Sequence, residues 1–255
     1  MRFVFDLDGT ICFRGQPVTE PILRQFDALV ARGHEVIFAS ARPIREMLPV
    51  LHDRFHSVSL IGANGGLVSK KGIISAVQPF THDELLLIYE LIEHHKATYL
   101  IDGDWNYACT GTNHPILENM DSRQVAKCVP ITELGDIIKV LILSAEHTGN
   151  LLDKLHQLNF VPHTYQEDGG IDISPRGIHK WRALQTLHVE ENNFIVFGND
   201  ANDESMFQKS RHSVMIGEHP KLAPLATERI ETGESCERRI IEKLEELSRQ
   251  YDNVI

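Results

Sequence analysis

The chain has 255 residues, 42% of them hydrophobic, and a formal net charge of −11 at pH 7. This length and composition suffice for one large or two modest globular domains with a buried core. The acidic charge argues against a nucleic-acid binder or a protein of anionic membrane surfaces, because both need basic faces to meet phosphate groups.

The first ten residues, MRFVFDLDGT, carry carboxylates at positions 6 and 8 and contain no apolar signal-peptide core. No apolar run reaches the ~20 residues that a membrane span needs. We therefore expect a cytoplasmic protein without a membrane partner. The four cysteines, Cys12, Cys109, Cys128 and Cys236, are too scattered to predict a zinc site or a disulfide framework. The sequence does not indicate an oligomeric state.

Strand-like apolar runs alternate with amphipathic helical stretches in the first part of the chain. This alternation is typical of βαβ units and of a mostly parallel sheet covered by helices. Gly33 lies where a glycine commonly ends a helix, and residues 65–72 predict a turn and a hairpin. The predicted elements are strands at 2–5, 35–40 and 58–62 and helices at 21–33 and 43–55.

A separate set of elements begins near residue 81, and the first pattern resumes after Pro175-Arg176-Gly177. The separate set has helices at 82–95 and 147–158 and strands at 97–102, 136–143, 160–166 and 171–174. The resumed pattern has helices at 178–187, 202–209 and 234–250 and strands at 193–197 and 212–216. We predict a discontinuous α/β core domain, residues 1–80 and 178–255, with a second α/β unit, residues 81–177, inserted into it.

Polar side chains follow the first core strand, where ligands bind in open α/β sheets. Asp6 and Asp8 are two residues apart in an extended segment, so both carboxylates point the same way. Their mutual repulsion favours a bound divalent cation, and Gly9 permits a sharp turn that leaves backbone amides free for an anion. The alternative is a surface Asx turn at a strand end.

Two further positions suggest anion binding. Ser40-Ala41-Arg42 precedes a proline-opened helix, which is a ready anion site, although Ser40 could be only an N-cap. Lys180 lies in the first turn of a predicted helix, where a cation is unfavourable unless an anion is near; the alternative is a solvated surface lysine.

Hard oxygen ligands also crowd the stretch GNDAND, residues 198–203, after the most apolar strand of the second half. Such ligands suit Mg²⁺, which prefers a few carboxylates together with water and phosphate oxygens. As a bare pattern the stretch could be a turn with an Asx N-cap. The chain has no GxxxxGK[ST] loop and no GxGxxG after a strand, which argues against P-loop and dinucleotide sites.

The order DLDGT, Ser-Ala-Arg, helix-opening Lys180 and GNDAND resembles the haloacid dehalogenase superfamily of phosphatases. The inserted unit looks like the cap of its Cof-like subclass, type IIB, and the resemblance covers essentially the whole chain. It implies an α/β fold with a Rossmann-like parallel-sheet core and an inserted α/β cap.

The resemblance also implies residue roles. Asp6 would be the nucleophile that forms an aspartyl-phosphate, and Asp8 would be the general acid and base. The phosphate- and substrate-binding residues would be Ser40, Ala41, Arg42, Lys180, Asn202 and Asn64. Asn64-Gly65-Gly66 matches a stretch at the core–cap junction of relatives, but it could equally be a turn before the hairpin. Asp102, Asp104, Trp105 and Tyr107 are candidates for cap contacts or for packing within the cap.

The metal ligands that the resemblance implies for Mg²⁺ are Asp6, Asp8, Asn199 and Asp203. The family pattern is G-D-x-x-N-D, and this chain has Asn199 in the place of the first aspartate. Either Asn199 binds Mg²⁺ through its amide oxygen or Asp200 takes over after a small shift of the loop; we favour Asn199.

The expected function is a Mg²⁺-dependent phosphohydrolase that cleaves a small phosphorylated metabolite, such as a sugar phosphate. The alternatives are a phosphomutase or phosphotransferase of the same fold and a non-catalytic phosphate- or metal-binding relative. The substrate depends on cap residues whose orientation the sequence does not indicate.

Overall fold

A computed structural model describes residues 1–111, 114, 116–117, 120–164 and 169–252. Its first elements are β1 (Arg2–Phe5), α1 (Glu20–Ala31), β2 (Glu35–Ala39), α2 (Ile44–Met47), β3 (Ser59–Gly62), β4 (Leu67–Lys70), β5 (Ile73–Val77) and α3 (His82–His94). Next come β6 (Thr98–Asp102), β7 (Tyr107–Cys109), β8 (Lys139–Ser144), α4 (Thr148–Gln157), β9 (His163–Thr164) and β10 (Ile171–Ile173). The last are α5 (Lys180–Thr186), β11 (Phe194–Gly198), α6 (Glu204–Phe207), β12 (His212–Ile216), β13 (Glu228–Ile230) and α7 (Cys236–Gln250).

Eight strands form the larger sheet, in the order β13-β12-β11-β1-β2-β3-β4-β5. The pairs from β13 to β3 are parallel, and the β4–β5 hairpin extends the sheet antiparallel. The predicted parallel core sheet and its hairpin are therefore confirmed. Phe5 at the end of β1 pairs with Phe38 of β2 and Phe197 of β11, so the residues that follow these strands lie at one edge of the sheet.

Helices bury both faces of this sheet, which explains why its central strands are apolar at nearly every position. On one face, Phe5 packs 4.7 Å from Phe26 of α1, between ring centroids, and α7 adds Ile240 and Leu244 to the same core. On the other face, α5 packs against β1 and β11 through Leu184 and its neighbours. Burial of these apolar side chains stabilises the strands whose ends position the candidate site.

The smaller sheet is antiparallel, with the strand order β7-β6-β8-β10-β9. One face is covered by α3 and α4, and α3 begins with a capping box formed by Thr81 and Glu84. The fold is thus a Rossmann-like parallel-sheet core together with an α/β cap. The boundaries at residues 80–81 and 177–178 stay a prediction.

The structure departs from the predicted elements at several places. The helix predicted at 43–55 is wrong: α2 ends at Met47 and only a 3₁₀ turn, Asp53–Phe55, follows. Pro49 explains the break, because proline lacks an amide hydrogen and its ring clashes with the preceding turn. The short strands β7 and β13 were not predicted. Of the strand predicted at 160–166, residues 160–164 are described, and His163–Thr164 form β9. Residues 165 and 166 lie outside the described residues. Along the described parts of the chain, no helix is long and apolar enough to cross a bilayer.

Candidate active site

Asp6 lies at the centre of the site, directly after β1, and its side chain is almost fully buried. Lys180 Nζ lies 2.7 Å from Asp6 Oδ1 and 2.7 Å from Asp203 Oδ1. Lys180 is completely buried at the start of α5, so the expectation of a nearby anion holds and the surface-lysine alternative does not. Burial lowers the pKa of Lys180, but the charges of Asp203 and Asp6 outweigh it and raise that pKa above its ordinary value.

Two buried carboxylates share this single ammonium group. Burial raises the pKa of Asp6 to about 7, although the charge of Lys180 lowers it. Asp203 contributes to the rise by like-charge repulsion. The site therefore has excess negative charge, which is the environment that a divalent cation or the protonation of one carboxyl relieves.

Asn199 lies against the turn that follows β1. Thr10 Oγ1 lies 3.0 Å from Asp6 Oδ2 and 3.0 Å from Asn199 Oδ1. A hydroxyl has one proton, so it can satisfy only one of these two acceptors at a time. Gly9 makes the approach possible: its φ is +77°, and a Cβ there would lie 2.2 Å from Asn199 Nδ2.

These oxygens fit a hard cation such as Mg²⁺ in kind and in charge. Asp6 supplies a carboxylate and Asn199 a neutral amide oxygen, next to the excess negative charge of the buried triad. In the described chain, no group of three His, Cys, Asp or Glu side chains is arranged to hold a metal. The possible metal ligands are therefore a carboxylate and a neutral amide, and they carry one negative charge fewer than they would with an aspartate at position 199.

Asp203 and Asp200 differ in what they face. Asp203 is fully buried, and its Oδ2 accepts the backbone N–H of Asn199 at 2.9 Å and of Asp200 at 3.2 Å. It therefore shapes the loop as well as pairing with Lys180. The Asp200 side chain is 59% exposed, caps the turn at Ala201 and lies 3.4 Å from His219 Nε2. Asn199 lies beside Asp6 and Thr10, whereas Asp200 caps a turn at the surface.

Arg42 binds Asp8 with two charge-assisted hydrogen bonds. Its Nε lies 2.7 Å from Asp8 Oδ2, and its Nη2 lies 2.6 Å from Asp8 Oδ1. Such a bidentate pair fixes orientation as well as charge. The guanidinium, predicted to bind phosphate or substrate, thus faces the Asp8 carboxylate in this structure. Asp8 itself is half exposed, with 48% of its side chain accessible.

Ser40 and Ala41 follow β2 and lie where a core loop meets the cap. Ser40 is buried and its Oγ accepts the N–H of Arg42 at 3.1 Å, so it caps the turn and keeps its hydroxyl proton for another acceptor. The carbonyl of Ala41 accepts from Lys139 Nζ of β8 at 2.9 Å. Lys139 also lies 3.0 Å from Asp172 Oδ2 of β10, so a buried cap ion pair contacts the loop of Ser40.

Asn64 and Asn202 connect the core to the same cap residue. Asn202 Nδ2 donates to Asn64 Oδ1 at 3.1 Å, and Asn64 Nδ2 donates to Asp172 Oδ2 at 3.2 Å. Asn64 is buried in a 3₁₀ turn, Ala63–Gly65, so it is both a turn residue and a core–cap contact. Among the described residues, the buried Oδ1 of Asn202 has no hydrogen-bond partner. A ligand with a hydrogen-bond donor would satisfy it.

A second buried cluster joins core and cap at Arg45. Its Nη2 pairs with Asp102 of β6, and its Nη1 donates to the carbonyl of Trp105 at 2.9 Å. The Tyr107 ring centroid lies 5.0 Å from Arg45 Cζ, in a cation–π contact. Asp102, Trp105 and Tyr107 therefore contact the core.

The sequence profile of the haloacid dehalogenase-like hydrolases matches residues 3–232. The chain belongs to this family. No curated protein matches it. A subclass IIB sugar phosphatase is 14% identical, with a TM-score of 0.78 over 96% of this chain and 98% of that one. A haloacid dehalogenase-like hydrolase from B. subtilis is 15% identical, with a TM-score of 0.78 over 96% and 99%. A phosphatase of the superfamily from Bacteroides thetaiotaomicron is 15% identical, with a TM-score of 0.74 over 96% and 94%.

The TM-scores show that the chain shares the fold of these structures, one of which is the subclass IIB sugar phosphatase. Within this haloacid dehalogenase-like hydrolase, the structure brings together Asp6, Asn199, Lys180 and Asp203 as one contact network, with Asp8 and Arg42 paired beside it. Their roles stay predictions. The sequence does not predict four residues that contact this network or the cap: Thr10, Arg45, Lys139 and Asp172. Only Thr10 had a usable signal, its place in the motif DGT; the other three lie in no motif.

Proposed function

We propose that this protein is a Mg²⁺-dependent phosphohydrolase that cleaves a small phosphorylated metabolite through an aspartyl-phosphate on Asp6. The observation that supports this most strongly is the buried arrangement of Asp6 and Lys180 at 2.7 Å, with Asn199 on the other side of Asp6 through Thr10. A carboxylate held between a cation and a second set of oxygen ligands suits attack on phosphorus in an anionic group.

In this proposal the residues of the chain have distinct tasks. Asp6 attacks phosphorus and displaces the leaving oxygen, while Asp8 donates a proton to that oxygen and then takes one from the attacking water. Arg42 binds the ionised form of Asp8 by two hydrogen bonds, which is the form that takes the proton from water; Asp8 has to be protonated before it acts as the acid. Lys180, together with the Ser40 hydroxyl and Asn202, stabilises the charge of the transferring group, which is usually the largest catalytic term.

Mg²⁺ would be held by Asp6, Asn199 and the backbone carbonyl of Asp8, with Asp203 supporting the loop. When bound, it would supply positive charge to a phosphoryl oxygen. The neutral Asn199 predicts weaker Mg²⁺ binding than an aspartate would give.

The position of the cap favours the proposal that the substrate is small. Asp172 contacts Asn64, and Lys139 contacts the Ala41 carbonyl, so cap side chains contact the loops that we predict to bind phosphate. A cap in this position excludes water and selects by the leaving group. The structural relative described as a sugar phosphatase favours a sugar phosphate among small phosphomonoesters.

The test is phosphate release from a panel of phosphorylated metabolites, with Mg²⁺ and with EDTA, in the presence and absence of sugar acceptors. We expect release to water that EDTA abolishes. Faster transfer to a sugar hydroxyl than to water would instead indicate a phosphotransferase. Phosphate binding by calorimetry, without turnover on any panel member, would indicate a non-catalytic relative.

A further inference from the structure

Two cysteines that are far apart in sequence meet at the edge of the cap sheet. Cys109 ends β7 and Cys128 lies nineteen positions later, yet their Sγ atoms are 3.6 Å apart and both thiols are free. The backbone holds them there: Tyr107 N–H donates to the Lys127 carbonyl at 3.1 Å, and Val129 N–H donates to the Tyr107 carbonyl at 2.8 Å. The pair is therefore placed by strand-like hydrogen bonds on both sides of Cys128.

The two thiols are accessible to different degrees. Cys128 is exposed and Cys109 is partly buried, whereas Cys12 and Cys236 are buried in the core. Burial and the contact with Cys128 raise the pKa of the Cys109 thiol to about 11. Cys128 is thus the sulfur that a solute reaches first, and Cys109 is held next to it as the resolving thiol.

The position of the pair gives it a structural consequence. Tyr107 forms the backbone hydrogen bonds that flank Cys128, and its ring lies over Arg45 of the core. Arg45 in turn binds Asp102, which pairs with Tyr107 across β6 and β7. The cysteines therefore lie at the cap edge that contacts the core through Arg45.

We propose that Cys109 and Cys128 form a redox modification site that takes a low-molecular-weight disulfide such as oxidised glutathione and closes to a reversible intramolecular disulfide. A disulfide needs the sulfurs about 1.5 Å closer than they are. Because Cys128 lies opposite Tyr107 rather than Cys109, closure requires rotation of both side chains together with a small shift of the return segment. In a reducing compartment the pair rests as two thiols.

The reaction balances as two exchange steps. The Cys128 thiolate attacks one sulfur of oxidised glutathione, which forms a mixed disulfide and releases one glutathione as its thiol after protonation. Cys109 then loses its proton and attacks the Cys128 sulfur, which releases the second glutathione. The two protein thiols are oxidised by two electrons, and one glutathione disulfide is reduced to two thiols.

The disulfide fixes the return segment at Cys128 to β7 and so stiffens the cap edge whose Tyr107 ring lies over Arg45. A closed loop of this length raises the melting temperature by about 6–12 °C. Because turnover needs the cap to separate from the core for substrate access and product release, the oxidised form has a several-fold lower kcat/KM; this last consequence rests on the proposed phosphohydrolase function.

The experiment treats the full chain with oxidised glutathione and compares it with Cys128→Ser and with the matched control Cys236→Ser. We expect a non-reduced peptide linking Cys109 to Cys128, a melting temperature about 6–12 °C higher, and a lower kcat/KM, all reversed by dithiothreitol. Cys128→Ser shows none of these changes. Cys236→Ser has its own melting temperature, because the residue is buried, but it shows the same change on oxidation, relative to its own reduced form, as the unsubstituted protein.

Glutathione retained on Cys128 without ring closure would overturn the proposal. A linked peptide without a rise in melting temperature or a fall in kcat/KM would overturn its structural consequence. If the reduced protein releases no phosphate from any substrate, that failure belongs to the proposed function, because peptide mass and melting temperature decide the disulfide without an activity assay.

Discussion

Replacing Asn199 by aspartate tests how this site balances its charge. Asn199 Oδ1 and Asp6 Oδ2 each lie 3.0 Å from Thr10 Oγ1, so they are at most about 6 Å apart. At a pH above the raised pKa of Asp6, where both carboxyls are ionised, two unit negative charges at that distance repel by about 3 kcal/mol at an effective dielectric constant of 20. Asn199 is partly exposed, and solvent screening reduces this figure to about 1–3 kcal/mol. We expect Asn199→Asp to lower the free energy of unfolding by that amount in the absence of Mg²⁺.

The assay combines thermal melts with calorimetric Mg²⁺ titration. Mg²⁺ should bind Asn199→Asp at least about tenfold more tightly, which corresponds to about 1.4 kcal/mol, and should reverse its loss of melting temperature. The control is Asp200→Asn, because the Asp200 side chain faces His219 rather than Asp6. It should leave Mg²⁺ affinity unchanged.

Unchanged or weaker Mg²⁺ affinity in Asn199→Asp would refute this reasoning. Such a result, together with weaker binding in Asp200→Asn, would mean that Asp200 already supplies the charge and that the loop differs when the cation binds.

Three further substitutions have expected outcomes. Gly9→Ala places a Cβ at 2.2 Å from the Asn199 amide at a φ of +77°, so a lower melting temperature by several degrees is expected in calorimetry; an unchanged value would contradict this. Arg42→Gln removes the bidentate partner of Asp8 and should lower kcat about 10-fold or more with a smaller change in KM, measured by steady-state kinetics. Arg42→Lys should recover only part of that loss. Lys180→Met leaves its two buried carboxylates without their ammonium, so denaturant unfolding should show a loss of about 3–5 kcal/mol; equal stability would contradict the shared-cation arrangement.

Much of the core could be predicted because its strands are short apolar runs with helices between them. The strands at residues 2–5, 35–39 and 194–198 follow directly from that pattern, and both faces of the sheet are buried. The prediction of a helix at 43–55 was wrong because the helical spacing of apolar residues continues past Pro49, whereas proline prevents the helical backbone from continuing there. Strands of three residues, such as Tyr107–Cys109, have too little periodicity to be recognised.

The candidate site divides in the same way. Asp6, Asp8 and the 198–203 stretch could be found because each follows a strand whose carboxyl end lies at the same sheet edge. The contacts between residues far apart in sequence could not be predicted. No local pattern places Lys139 beside the Ala41 carbonyl or Cys109 beside Cys128. These contacts depend on how the cap meets the core and on how one loop returns to its own sheet.

The most direct test of the account is whether Asp6 carries the phosphoryl group. A substrate found by the panel is mixed with enzyme and Mg²⁺, quenched in acid, and the peptide containing Asp6 is examined by mass spectrometry. Asp6→Asn is the matched control, since it keeps the shape of the side chain and leaves Lys180 paired with Asp203. We predict one added phosphoryl group on Asp6 and a fall in kcat of at least about 1,000-fold in Asp6→Asn. Equal activity of Asp6→Asn, or a phosphoryl group on another residue, would contradict the account.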